Sequence, residues 1–113
     1  MKSLMTVDIA HPPMRSEEAE RLLDESLRKI HLSSHLRIMK IIHGYGSKGT
    51  GGTLKTVVKN WIHQHHDNII SSIDGEQLTP FNPQVQVLSA ECNMSPEKDL
   101  GVPNEGVTIV WVS

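Results

Sequence analysis

"IIHGYGSKGTGGTLKTVVKNWI", residues 41–62, decides the fold. Its first residues are apolar and β-branched, its middle is made of Gly, Ser, Lys and Thr, and its end carries Leu54, Val57, Val58, Trp61 and Ile62 at helical spacing. The stretch therefore predicts a strand over 36–43, a glycine-rich loop, and a helix beginning near Thr53. In α/β sheets, ligands gather where loops leave the carboxyl ends of strands. Glycines let backbone N–H groups converge, and a helix amino terminus adds partial positive charge, so this joint suits an anion such as phosphate. Lys48 and Lys55 add full charges, and His43 at the mouth of the loop supplies a group able to move a proton. The strict phosphate-loop pattern is absent, because no glycine precedes Lys-Ser or Lys-Thr. "GYGSKG" (44–49) spells GxGxxG, but the helix begins too late for a dinucleotide fingerprint.

Outward from the joint, "LMTVDIA" (4–10) predicts a first strand, halted by Pro12-Pro13. Ser16 is placed to cap a helix carrying Glu17 and Glu18 in its first turn and Ala19, Leu22, Leu23, Leu27 and Ile30 on one face. Asp74-Gly75 and the stretch 80–83 are turn signals. "VQVLSA" (85–90) predicts a third strand, 93–106 a long loop, and "VTIVWV" (107–112) a closing strand. The order is β-α-β-α-β-β, an α/β two-layer sandwich with a four-stranded mixed sheet, forming a single domain over 1–113.

Composition narrows the function. The chain is 37% hydrophobic and 21% charged, as in soluble domains. Its aromatic residues are Tyr45, Trp61, Phe81 and Trp111, too few for a base-stacking platform. The lone Cys92 excludes an internal disulfide and a four-cysteine zinc site. No apolar run reaches membrane-spanning length and no charged-then-apolar leader opens the sequence, so no membrane partner and a cytoplasmic location are expected. The net charge of −2 conceals segregation: 1–25 carry −3, 26–66 carry +7 without an acid, and 67–113 carry −6. The positive block holds Arg28, Lys29, Arg37, Lys40, Lys48, Lys55 and Lys59, together with six of the histidines. Such a field guides a polyanion to one face unless acidic elements fold over it. Arg37 and Lys40, on an otherwise apolar strand, are expected to extend the basic face. "WIHQHHD" offers His63, His65 and His66, but without a cysteine or acid set these are read as residues closing a helix carboxyl end rather than as metal ligands.

"IIHGYGSKGTGGTLKTVV" (41–58) resembles the HGxG and Leu-Arg/Lys signature of the Smr (small MutS-related) domain family. "PMRSEEAERLLDESL" (13–27) looks like the family's first helix, and "NEGVTIVWV" (104–112) is similar to its final Gly-x-Thr-x-Val strand. The resemblance implies a fold likened to the C-terminal domain of a bacterial translation initiation factor. It also implies binding to DNA or RNA, often with endonuclease activity, in the company of ribosomes or repair complexes. His43, Gly44 and Gly46 fall on HGxG, and Leu54 and Lys55 on the Leu-Arg/Lys pair. Carried over, His43 is a general acid or base near the scissile phosphate. The amides of the loop, with Gly49, Gly51 and Gly52, hold phosphate oxygens, while Lys55 offsets transition-state charge and Lys59 adds to the same face. Active relatives usually end the first strand in Leu-Asp-Leu-His-Gly. An ungapped alignment places Ile9, Ala10, His11, Pro12 and Pro13 there, and Asp8 with His11 is a displaced substitute. Two expectations follow: a nuclease using His43, Asp8 and His11, either metal-independent or weakly assisted by a divalent metal, or a binding module that kept the cradle and lost the first motif. No other cofactor is implied.

Overall fold

A computed structural model describes residues 3–44, 50–91 and 102–113, with the backbone alone at 50–52. The strands are β1 (Ser3–Asp8), β2 (Leu36–Ile42), β3 (Ile69–Asp74) and β4 (Val107–Val112); the helices are α1 (Ser16–Leu32), α2 (Thr50–Gln64) and α3 (Pro83–Glu91). The sheet runs β1-β2-β4-β3, with β1 parallel to β2 and β4 antiparallel to both β2 and β3. Among the described residues, no helix is long and apolar enough to cross a membrane.

The alternating faces of the strands build two cores. On one face, Val7, Met39, Ile41, Val110 and Val112 pack under Ala19, Leu23, Leu27 and Ile30 of α1 and Leu54, Val57, Val58 and Trp61 of α2. This is the expected pair of layers. On the other face, Ile38, Ile73, Val107 and Ile109 meet Leu78 and the α3 residues Val85 and Leu88. Trp61 is 2% exposed, and its indole N–H donates to Asp24 Oδ1 at 2.8 Å, tying α2 to α1.

The element order differs from the expected one in its second half. Residues 85–90 lie in α3, not in a strand. Pro83 sits at the first helical position, where a missing N–H costs nothing, and Asn82 Oδ1 accepts the Gln84 N–H at 2.9 Å. Val85 and Leu88, three apart, are buried while Val87 is exposed, which is a helical period rather than a strand's. The third strand is instead Ile69–Asp74, at the sheet edge, with a register shift between Ile69 and Ser71. The shift explains why Ile69 packs towards α1 and α2 while Ile73 packs towards α3. Two smaller differences concern helix starts. Ser16 is the first helical residue, with Arg15 as the cap, and α2 begins at Thr50, so that Gly51 and Gly52 belong to its first turn. Most of the expected 93–106 loop lies outside the described residues.

Candidate nucleic-acid interface

The parallel strands β1 and β2 end together. Asp8 is the register partner of Ile42, and the Ile9 N–H donates to the Ile42 carbonyl at 3.0 Å. The chain then turns through His43 and Gly44 towards the amino end of α2. Gly44 has a φ of 83°, a conformation that disfavours any residue with a Cβ. The N–H groups of His43 and Gly44 both donate to the Gly106 carbonyl, at 2.9 and 3.1 Å. That segment is fixed in turn: Asn104 N–H donates to the Gly75 carbonyl at 2.8 Å, and Gly106 N–H to Asn104 Oδ1 at 2.9 Å. The turn after β2, the 3-10 turn after β3 (Gly75–Gln77) and the lead into β4 are therefore one hydrogen-bonded unit.

His43 is the buried centre of that unit, with 0% exposure. Its Nδ1 lies 2.9 Å from the Gly44 carbonyl and its Nε2 2.9 Å from Thr108 Oγ1. A carbonyl only accepts, so Nδ1 carries the hydrogen, and Nε2 accepts from the Thr108 hydroxyl. Burial drives the pKa below its ordinary value and the nearby Lys55 charge adds to this, while the Gly44 and Val107 hydrogen bonds and the Glu76 charge oppose it. The ring is thus a neutral strut. To pass a proton to a phosphate it must first release Gly44 or Thr108.

The lysines and glycines expected to hold phosphate are dispersed. Gly46, Lys48 and Gly49 lie outside the described residues. Gly51 and Gly52 sit in the first turn of α2, where N–H groups have no partner within the helix. Lys55 is at this end too, with Nζ 3.3 Å from Glu76 Oε2, so an acid from the negative C-terminal third does fold over part of the positive block. Lys59 is exposed one turn further along α2. Lys40 stands mid-strand beside Thr6 and Ile109, alternating onto the α3 face with Ile38 and Ile42. Arg37 is not brought to the joint. It lies at the amino end of β2, and its Nη1 donates to the carbonyls of Ile30, Ser33 and Leu36, closing the end of α1.

Asp8 and His11 do form a pair. Asp8 Oδ1 accepts from the N–H groups of Ala10 (2.8 Å) and His11 (3.1 Å), and Oδ2 lies 3.0 Å from His11 Nδ1. Burial alone raises the Asp8 pKa, but these hydrogen bonds and the His11 charge outweigh it and leave the carboxyl below its usual value. The His11 side chain is 71% exposed. The pair and His43 leave the sheet on opposite faces: Asp8 alternates with Val7, whose side chain packs towards α1 and α2, whereas His43 shares the face of Met39, Ile41 and Thr108. They flank the shared carboxyl end of β1 and β2 from two sides.

Near the far end of α2, His65 Nε2 approaches Asp24 and His66 Nε2 approaches Asp67, at 3.3 and 3.2 Å. Among the described residues, no group of three His, Cys, Asp or Glu side chains is placed to hold a metal ion. Sequence reasoning read Gly75 as part of a turn but did not place Thr108, Gly106, Gly75 or Glu76 at the site. A signal for the first two was present, since Gly106 and Thr108 are the Gly and Thr of the closing Gly-x-Thr-x-Val pattern.

A family model described as the Smr domain matches residues 12–77, more than half of the 113. Asp8 and His11 precede the matched span, and β4 follows it. Among solved structures, the chain is similar to the Smr domain of Thermus thermophilus MutS2, at 16% identity and a TM-score of 0.58, covering 100% of this chain and 99% of that one. No curated protein matches by sequence.

Proposed function

Because this chain belongs to the Smr domain family, we propose that it is a nucleic-acid-binding domain that grips the phosphate backbone at the β2–α2 joint, without His43 acting in cleavage. The supporting observation is the state of His43: buried, neutral and bonded at both ring nitrogens to Gly44 and Thr108. A histidine so held shapes the turn in front of α2, and the N–H groups of the first helical turn, which have no partner within the helix, receive the phosphate together with Lys55. Family membership supplies the nucleic acid as ligand, and salt-dependent affinity follows from lysine–phosphate contact.

A second reading, phosphodiester cleavage, draws on the Asp8–His11 pair. Asp8 orients the His11 ring through Nδ1, and Nε2 of this exposed ring has no partner among the described residues. That arrangement is suited to proton transfer. One assay separates the two. Labelled single-stranded RNA, duplex DNA and branched DNA are incubated with the protein, His11→Ala and His43→Ala, at two salt concentrations, with and without magnesium. Salt-sensitive binding with intact strands is the expected result. Cleavage abolished in His11→Ala moves the conclusion to the second reading, and absence of binding to every probe overturns both.

A further inference from the structure

The basic residues of α2 are not scattered around the helix. Lys55, Lys59 and His63 are spaced i, i+4 and i+8, so they form one ridge along its surface. In the 3-10 turn that follows (His66–Asn68), His66 continues the line: its ring centroid is 6.2 Å from that of His63, and its Nδ1 lies 3.0 Å from the His63 carbonyl. The helix carries no Asp or Glu. Trp61 and His65 meet Asp24 of α1, whereas Lys55 meets Glu76 beyond β3, so the ridge occupies the flank of α2 turned away from α1. Lys59, His63 and His66 are exposed, and Lys59 has no ion pair among the described residues.

We infer that the nucleic-acid strand held at the β2–α2 joint continues along this flank, with its phosphates following Lys55, Lys59, His63 and His66. The inference rests on the proposed backbone-binding function and adds a path to it. From Lys55 to His63 the helix rises about 12 Å, at 1.5 Å per residue. That length matches the axial rise of between three and four base pairs of a duplex, at about 3.4 Å each. The near end carries permanent charge. The far end carries the exposed imidazoles of His63 and His66, which offer ring N–H donors to phosphate oxygens. The charged and titratable groups around that end are Lys59 one turn back on α2, Asp67 against His66, and His65 with Asp24 from α1. Asp67 opposes this end of the ridge directly, as Glu76 opposes Lys55 at the other, and at 88% exposure Asp67 is well screened.

The test measures binding of a fluorescent 12-base-pair duplex and a 12-nucleotide single strand to the wild type, Lys55→Ala, Lys59→Ala and the double variant His63→Ala/His66→Ala. The altered side chains lie on the helix surface, and circular dichroism confirms that each variant is folded. Lys59→Ala is expected to weaken binding several-fold and to lower the slope of log affinity against log salt by about 0.9 for the duplex or 0.7 for the single strand, the loss of one phosphate contact. The double histidine variant is expected to bind more weakly than the wild type. If Lys55→Ala weakens binding while Lys59→Ala and the histidine variant match the wild type, the path is wrong and the joint stands alone as the site. If the wild type binds neither probe, the underlying function fails and the path with it.

Discussion

Thr108→Val probes the strut on which the joint depends. The substitution keeps the shape of a 2% exposed side chain but removes the hydroxyl that donates to His43 Nε2 at 2.9 Å. The buried ring nitrogen then loses the donor it has in the fold, which costs about 1–3 kcal/mol. Taking about 2 kcal/mol, and about 5 °C per kcal/mol for a domain of this size, the melting temperature should fall by about 10 °C. Thr108→Ser retains the donor and should lose about half of that or less. The comparison of the two is the measure of the hydrogen bond, because both disturb the same packing.

The same geometry sets a pH dependence with a definite sign. The His43 pKa is lowered from 6.5 in the folded chain, chiefly by burial, so as pH falls the unfolded chain takes up the proton first. The contribution of the neutral ring is complete above about pH 6.5 and is lost as pH falls from there towards the lower folded pKa, at no more than about 1.4 kcal/mol per pH unit. Ring nitrogen chemical shifts in the folded protein should report the Nδ1–H tautomer at pH 7, with a titration midpoint below 6.5. A Thr108→Val variant within about 0.5 kcal/mol of wild type, an Nε2–H tautomer, or a midpoint at or above 6.5 would refute the reasoning. The last two results would also return His43 to consideration as a proton carrier.

Two further substitutions test the surroundings of the joint. Gly75→Ala places a Cβ against the carbonyl oxygens of Asn104 and Val107, which are backbone atoms unable to swing aside. It should cost about 2–3 kcal/mol by urea denaturation through overpacking and loss of the Asn104–Gly75 bond, whereas an effect below about 0.5 kcal/mol contradicts the close approach. Glu76→Gln releases Lys55 from its exposed partner. Such pairs are worth about 0.2–1 kcal/mol, so nucleic-acid affinity at low salt should rise by up to about fivefold, with the gain fading at high salt and stability almost unchanged. Unaltered affinity there removes Lys55 from the contact.

What was legible in the sequence follows from which forces are local. The strands β1, β2 and β4 and the helices α1 and α2 each bury a regular face, so their apolar period is written in consecutive residues. The third strand was hidden because Ser71 and Ser72 interrupt its apolar pattern and it lies at the sheet edge, half exposed. Val85-Gln86-Val87 suggested alternation, but Pro83 ahead of it and Leu88 behind it impose the helix. At the site, the place of His43 at a strand end was readable from its neighbours. Its burial was not, because the partner that completes it, Thr108, is 65 residues away.

The positive block shows the same limit in electrostatic form. A run of basic residues becomes a field only where no acid meets it in space. Arg37 is turned inwards to close α1 and Lys55 is met by Glu76, whereas Lys59 and His63 stand in line on an exposed flank of α2. The exposure of that flank has a plain origin. The apolar stripe of Leu54, Val57, Val58 and Trp61 fixes the rotation of α2 about its axis. By helical spacing alone that rotation sends Lys59 and His63 outwards. The packing that buries the α2 stripe thus turns Lys59 and His63 to solvent, while Thr108 holds His43 inside the fold, and the proposed binding reading rests on these two observations together.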